Sequence, residues 1–282
     1  MTPPSIPTNP TKVVQHVVLI LMENHGLYQV NQGGAYQRYL AAHFAAATHY
    51  YAICHPSVSD YLSITSGTPH QCGTDNYHTY NVTHIGDLVD GARKSWGSYL
   101  ESMPTACAKK STTMFNTHHD PFIAYRNVVN NSSRCASHVL NSRLFNSSAV
   151  NGTLPNYSLY VPNMNDDCHN TKIPTCDTWL KKFLGPILNA TGPAEKAMVA
   201  HTVFFVVYDE SIANDTSGYS GAHGGRVYLT AISPWSAGLQ LTRNASHYDL
   251  LSTVEWLMGL GSCGGHDGTA AYPAMKGLFK FP

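Results

Sequence analysis

One stretch constrains the fold of this chain more than any other. Residues 13–22, V-V-Q-H-V-V-L-I-L-M, are almost continuously apolar and stop abruptly at Glu23, Asn24, His25 and Gly26. A strand with one wet face alternates apolar and polar residues, whereas a strand covered on both faces has no need to. The run is also far short of the roughly 20 apolar residues that cross a bilayer. It therefore reads as the central strand of a parallel sheet lying between layers of helices.

The remaining pattern agrees. Strands are expected at about 95–100, 158–161, 203–208 and 227–232, and helices at about 35–47, 57–66, 85–93, 177–188 and 246–260, with a loop from 48 to 56. Such alternation predicts an α/β fold, a mostly parallel central sheet with helices on both faces. A chain of 282 residues with 43% hydrophobic composition can bury a core of that kind as one large domain, residues 13–282, behind a Pro-rich extended arm at 1–12. Residues 105–155, rich in Asn and Ser, read as a loop-rich insertion. No internal repeat is evident.

Charge narrows the partners. Seventeen basic residues balance 17 acidic ones, and charged residues are 12% of the chain, about half the usual share. Nucleic acid and anionic membrane are therefore not expected as partners. The surface must be kept polar by Asn, Ser, Thr and sugar. Asn-x-Ser/Thr occurs at Asn81, Asn130, Asn131, Asn146, Asn151, Asn156, Asn189, Asn214 and Asn244, where chance would place about three.

N-linked glycans are expected on that ground. The seven cysteines form no C-x-x-C pair, which argues against a structural zinc cluster and for disulfides in an oxidising compartment. Cys168 with Cys176 and Cys107 with Cys135 bracket loops and are candidate pairs; the odd total leaves at least one cysteine without an intrachain partner. The expected location is secreted or cell-surface. The opening M-T-P-P-S-I-P-T-N-P does not resemble a signal peptide, so a secreted chain with this start would be a mature form.

Two apolar strands run into acids: Leu21-Met22 into Glu23-Asn24, and Val206-Val207-Tyr208 into Asp209-Glu210. Oxygen ligands at the ends of neighbouring parallel strands are aimed at one edge and can converge on a divalent ion. The segment H-P-S-V-S-D-Y-L-S-I-T-S-G puts Ser57 at the start of a helix. Backbone N–H groups there attract phosphate, and a hydroxyl so placed can attack phosphorus once deprotonated. The competing assignment for Ser57 is an ordinary N-cap. His118, His119 and Asp120 before Pro121, and P-N-M-N-D-D-C-H at 162–169, offer imidazoles that can hold a phosphate oxygen or protonate a leaving alkoxide.

Taken together, these segments resemble the phosphoesterase family of bacterial, archaeal and fungal acid phosphatases and phospholipases C, within the alkaline phosphatase-like superfamily. H-V-V-L-I-L-M-E-N-H is similar to that family's opening strand, and H-P-S-V-S-D-Y-L-S-I-T-S-G to its nucleophile motif, commonly H-P-S-x-P-N-Y-x-x-x-x-S-G. H-D-P-F, P-N-M-N-D-D-C-H, F-F-V-V-Y-D-E-S, V-Y-L-T-A-I-S-P and H-Y-D-L-L-S-T-V-E-W-L-M-G-L follow in the family's order. The resemblance implies an alkaline phosphatase-like fold, Ser57 as the residue that becomes phosphoserine, and Glu23, Asn24, Asp209 and Glu210 around a metal. It implies His119 and His169 as phosphate ligands or proton donors, Asp167 as a metal ligand or an orienter of His169, and His223 as a weaker candidate on the same rim.

One departure stands out: Ser59-Asp60 replaces the family's Pro-Asn. An ionised Asp60 would repel a phosphate dianion, so it must be protonated, face away, or signal a different substrate.

The expected activity is a metal-dependent acid phosphatase acting on phosphate monoesters, with calcium, magnesium or zinc as the ion. Substrates would be a small-molecule phosphate ester or, in a phospholipase C-like diesterase, a phospholipid headgroup. A silent glycosylated surface protein is the third reading. An acyl-transfer serine hydrolase is disfavoured, since no G-x-S-x-G elbow occurs.

Overall fold

The computed structural model describes residues 9–76 and 78–282. Its eight strands are β1 (His16–Met22), β2 (Ala45–Tyr51), β3 (Trp96–Leu100), β4 (Val139–Asn141), β5 (Tyr157–Val161), β6 (Thr202–Tyr208), β7 (Leu229–Ile232) and β8 (Gln240–Ser246). They form one sheet in the order β4-β3-β5-β1-β6-β7-β2-β8. β1 is central, with β5 and β6 parallel on either side. From Val17 to Met22 every residue of β1 is fully buried, which is why that stretch has no polar alternation. Only β7 runs antiparallel, against both β6 and β2. The expectation of an α/β fold with a mostly parallel central sheet holds.

Register places the chemistry. Met22 pairs with Tyr208 at the last step of the β1–β6 ladder, so Glu23 and Asp209 leave the sheet side by side. The Asp209 amide donates to the Met22 carbonyl at 2.9 Å, and on the other flank the Glu23 amide donates to the Asp167 carbonyl at 2.8 Å. Three chain segments thus arrive at one edge.

The helix Val58–Ser66 stands over that edge with all nine of its residues buried, and it ends where Gly67 takes the left-handed conformation (φ 72°) and returns its N–H to Ser63. It packs against the helix His247–Met258, whose start is fixed by a capping box between Ser246 and Asp249.

Two strands depart from the expectation. The helix expected through residue 47 ends at His43, and Ala45–Tyr51, assigned to that helix and the following loop, is β2. The run Ala45-Ala46-Ala47 favours helix locally, but pairing with β8 and β7 overrides it. β8, Q-L-T-R-N-A-S, is polar because it lies at the sheet's edge, and its sequence carries no strand signal. Within the insertion, the helices Ser132–His138 and Arg143–Val150 and the short edge strand β4 sit among the loops.

Of the expected N-terminal arm, residues 1–8 lie outside the described residues and Pro10–Lys12 form a 3₁₀ turn. Disulfides join Cys54–Cys72, Cys107–Cys135 and Cys168–Cys176, leaving Cys263 as a thiol. No helix among the described residues is long and apolar enough to cross a membrane.

Candidate active site

Ser57 occupies the N-cap position of the helix Val58–Ser66 but makes no side-chain cap bond. Its hydroxyl is directed instead at Glu210 Oε1 (2.9 Å) and Glu23 Oε2 (3.2 Å), so Ser57 holds the N-cap position without capping through its side chain. Glu210 turns its other oxygen to His55 Nδ1, and that pairing pushes the His55 pKa up to about 9. Glu23 in turn accepts the Tyr61 phenol at 2.7 Å on its second oxygen.

Behind Glu23 lies His119, with Nε2 3.2 Å from Glu23 Oε1 and Nδ1 3.3 Å from Asp167 Oδ2. Two acids flank this imidazole, yet burial wins and pushes its pKa down to about 3, with the neighbouring His169 and His118 adding to the effect. Its contacts with the two acids are close approaches rather than hydrogen bonds, and Asp167 Oδ2 is buried without a hydrogen-bond partner. Burial, reinforced by Asp209 and Asp167, holds Glu23 well above the usual carboxylate range, and burial raises Asp167 to about 7.

His169 differs: it is exposed, its ring centroid lies 5.5 Å from that of His119, and its amide is held by Asp167 Oδ1 at 2.7 Å. The structure thus separates two histidines that the sequence treats alike. Asp120 caps the turn Pro121–Ala124 through the Phe122 amide. His223 is exposed, and its amide donates to the Ile53 carbonyl at 2.7 Å, on the approach to Ser57.

Asp60 has its own partners. Its Oδ1 accepts the Ile53 amide at 2.6 Å and lies 3.2 Å from His247 Nε2, while burial holds its carboxyl well above the usual range. Through the Ile53 amide it ties the approach to Ser57 onto the helix. His247, pushed by burial to about 4, also binds Tyr50 Oη (2.8 Å) and the Asp209 carbonyl.

Tyr61, His55 and His247 received no role from the sequence. Tyr61 was findable, since it lies four residues after Ser57 and therefore on the same helical face. The contact between Asp60 and His247 crosses most of the chain, and no local spacing announces it.

Glu23, Asp209 and Glu210 are 0%, 0% and 4% exposed. Among the described residues no lysine or arginine is paired with them, and Asp209 Oδ2 is buried without a hydrogen-bond partner. Burial and the nearby Glu210 and Asp60 hold Asp209 well above the usual range. Buried like charges with an unpartnered oxygen are the surroundings a hard divalent cation requires, so the residues present fit one. Asn24, half-buried and left-handed (φ 52°), donates its amide to Asp209 Oδ1 at 3.0 Å. Ligand atoms of Glu23, His119 and His169 also lie within 4.8 Å of one another, a donor set that zinc would accept.

The model of the Phosphoesterase family matches residues 26–261. The chain is 30% identical over 262 residues to a probable acid phosphatase of Kluyveromyces lactis, covering 89% of this chain and 60% of that protein. It is 27% identical over 242 residues to an acid phosphatase of Aspergillus fumigatus, covering 82% of this chain and 52% of that protein. The chain therefore spans little more than half the length of these curated relatives. A crystal structure of a protein in the alkaline phosphatase superfamily from Vibrio parahaemolyticus superposes with a TM-score of 0.62 at 15% identity, over 94% of this chain and 74% of that one, which is a likeness of fold.

Proposed function

The chain belongs to the Phosphoesterase family, and from that membership and the surroundings of Ser57 we propose that it is a hydrolase of phosphoric esters, acting on phosphate monoesters as an acid phosphatase. The observation that carries this reading is the Ser57 hydroxyl, turned away from its own helix and held between Glu210 and Glu23. Acid phosphatases among its relatives support the monoester.

In the mechanism proposed, Ser57 gives its proton to one of the two carboxylates it touches and its oxygen bonds to phosphorus. The ester P–O bond on the opposite side breaks, and the leaving alkoxide takes a proton from His169, the exposed member of the histidine pair. Water then hydrolyses the phosphoserine, releasing phosphate and restoring the hydroxyl. His119, held neutral between Glu23 and Asp167, positions both acids. Glu23, Asn24, Asp209 and Glu210 would hold a divalent ion of calcium, magnesium or zinc, which when bound supplies positive charge to the attacking oxygen and the phosphoryl oxygens.

Residues 13–282 act as one catalytic unit in this reading. Three disulfides and the exposed sequons support a secreted glycoprotein.

The test is release of nitrophenol from p-nitrophenyl phosphate between about pH 4 and 9, with and without chelator, for the protein and for Ser57→Ala. Chelator-sensitive release that needs Ser57 is the expected result. Release from bis(p-nitrophenyl) phosphate alone would replace the monoester by a diester, and no release from either ester with any added divalent ion would sink the reading.

A further inference from the structure

Asp75 belongs to none of the segments assigned above, yet its carboxylate Oδ1 accepts the backbone N–H of Val58 at 3.2 Å. That amide follows Ser57 directly and is the first of its helix. The loop bearing Asp75 is joined to the approach to Ser57 by the disulfide Cys54–Cys72 and by the Gly73 amide, which donates to the His55 carbonyl at 2.7 Å. Asp75 is half-buried, and its charge is among those that act on His119. The carboxylate therefore belongs to the surroundings of both the proposed nucleophile and the buried histidine.

The amide after the nucleophile, at a helix N-terminus, is where an oxygen of the attacked phosphoryl group gains a hydrogen bond aimed at developing charge. Here a tethered anion already occupies it. We propose that Asp75 is a specificity-determining residue of this site. It holds the Val58 amide as a stand-in anion and weighs, by its charge, against the dianion that monoesters and inorganic phosphate become above their second pKa of about 6 to 7, relative to diesters, which stay monoanionic. An incoming group must displace the carboxylate or share the amide with it, and the repulsion grows with the charge that arrives. The same repulsion hastens departure of phosphate, so weaker monoester binding and weaker product inhibition have one cause. The inference rests on the phosphoesterase reading.

Asn is as good a helix cap as Asp but carries no charge. Asp75→Asn therefore separates charge from capping, and Asp75→Ala removes both. Inorganic phosphate is titrated calorimetrically into each divalent-loaded protein, and kcat and KM are measured for p-nitrophenyl phosphate and bis(p-nitrophenyl) phosphate. In Asp75→Asn, phosphate affinity should tighten and the monoester KM should fall, each on the order of tenfold, with the diester KM moving less than about threefold and kcat less than KM. Unchanged or weaker phosphate binding in Asp75→Asn, or equal shifts for the two esters, would overturn the proposal. So would an Asp75→Asn protein matching the wild type throughout while Asp75→Ala alone loses thermal stability, since Asp75 would then be only a cap. Should the wild type turn over neither ester, the phosphoesterase reading fails while the phosphate titration still decides the role of this charge.

Discussion

Tyr61 stands one helical turn beyond Ser57, and both hydroxyls end on the same carboxylate: Ser57 Oγ lies 3.2 Å from Glu23 Oε2 and the Tyr61 phenol 2.7 Å from Glu23 Oε1. The strand end and the helix are thereby locked together at the proposed nucleophile. Tyr61→Phe keeps the ring stacked on His119, whose centroid is 5.4 Å away, but leaves a buried carboxylate oxygen one donor short. Such a loss costs about 1–3 kcal/mol of stability, and kcat on p-nitrophenyl phosphate should fall about tenfold through the loosened Glu23. Ser57→Ala should fall by about a thousandfold or more. Wild-type kcat in Tyr61→Phe would show that Glu23 is oriented without it.

Glu23, Asp209 and Glu210 make the ion-free site a source of instability. Burial and their mutual charge hold Glu23 and Asp209 well above the usual carboxylate range, so each weakens the ion-free fold at neutral pH, where the unfolded chain leaves them ionised. Added divalent cation should therefore raise Tm, and chelator should lower it; at a hundredfold excess over Kd the gain is about 2.7 kcal/mol. Asp209→Asn removes one charge of the set, so in chelator it should melt above the wild type while losing most of the response to cation. A variant that melts lower in chelator and keeps the full response would place the ion elsewhere.

How far this arrangement could be read in the sequence depends on where the information lies. β1 and β6 announce themselves because their residues are buried on both faces, and Glu23 and Asp209 were legible because each follows such a run directly. The place of Ser57 at a helix start was legible from the proline before it and the apolar helix after it, whereas its role as nucleophile came only from the resemblance. β2 and β8 were not. Each is specified by its pairing, and alanines that favour helix or an edge strand of Thr, Arg and Asn give no local signal. The partners of Asp60 were hidden for the same reason: His247 reaches it only when the helix His247–Met258 packs on the helix Val58–Ser66. The candidate disulfides Cys107–Cys135 and Cys168–Cys176 both form, but spacing did not single them out, since Cys54–Cys72, which was not anticipated, closes a shorter stretch than Cys107–Cys135.

Acid should weaken the fold through His84. Fully buried, it caps the helix Ile85–Gly91 by accepting the Gly86 amide on Nδ1 at 3.1 Å, so its proton must sit on Nε2, 3.1 Å from Asn127 Oδ1. Burial pushes its pKa down to about 4 against the opposing pull of Asp87. The unfolded chain, with its histidine near 6.5, takes up the proton first. The stabilising contribution is thus whole above pH 6.5 and lost as pH falls toward 4, by about 3 kcal/mol at most. His84→Asn keeps a capping acceptor without the titration, so urea unfolding from pH 4 to 7 should show a shallower decline in the variant. Parallel declines would assign the acid sensitivity to other groups.

The sequons divide on the same kind of evidence. Asn81, Asn130, Asn131, Asn146, Asn151, Asn189, Asn214 and Asn244 are exposed, whereas Asn156 is half-buried. Its Nδ2 donates to the Gln15 carbonyl at 2.9 Å, and its Oδ1 accepts the Ser95 amide at 3.0 Å. These bonds hold the starts of β1, β3 and β5 together, and the nitrogen that would carry sugar is the one engaged with Gln15. A glycan there would break that bond and push the chain entering the central strand away from its neighbours. Protein made in a glycosylating host should therefore leave Asn156 unmodified while exposed sequons carry sugar, read by glycosidase digestion and peptide mass spectrometry. Sugar on Asn156 in folded, active protein would mean that this junction tolerates opening and that these bonds contribute little to it.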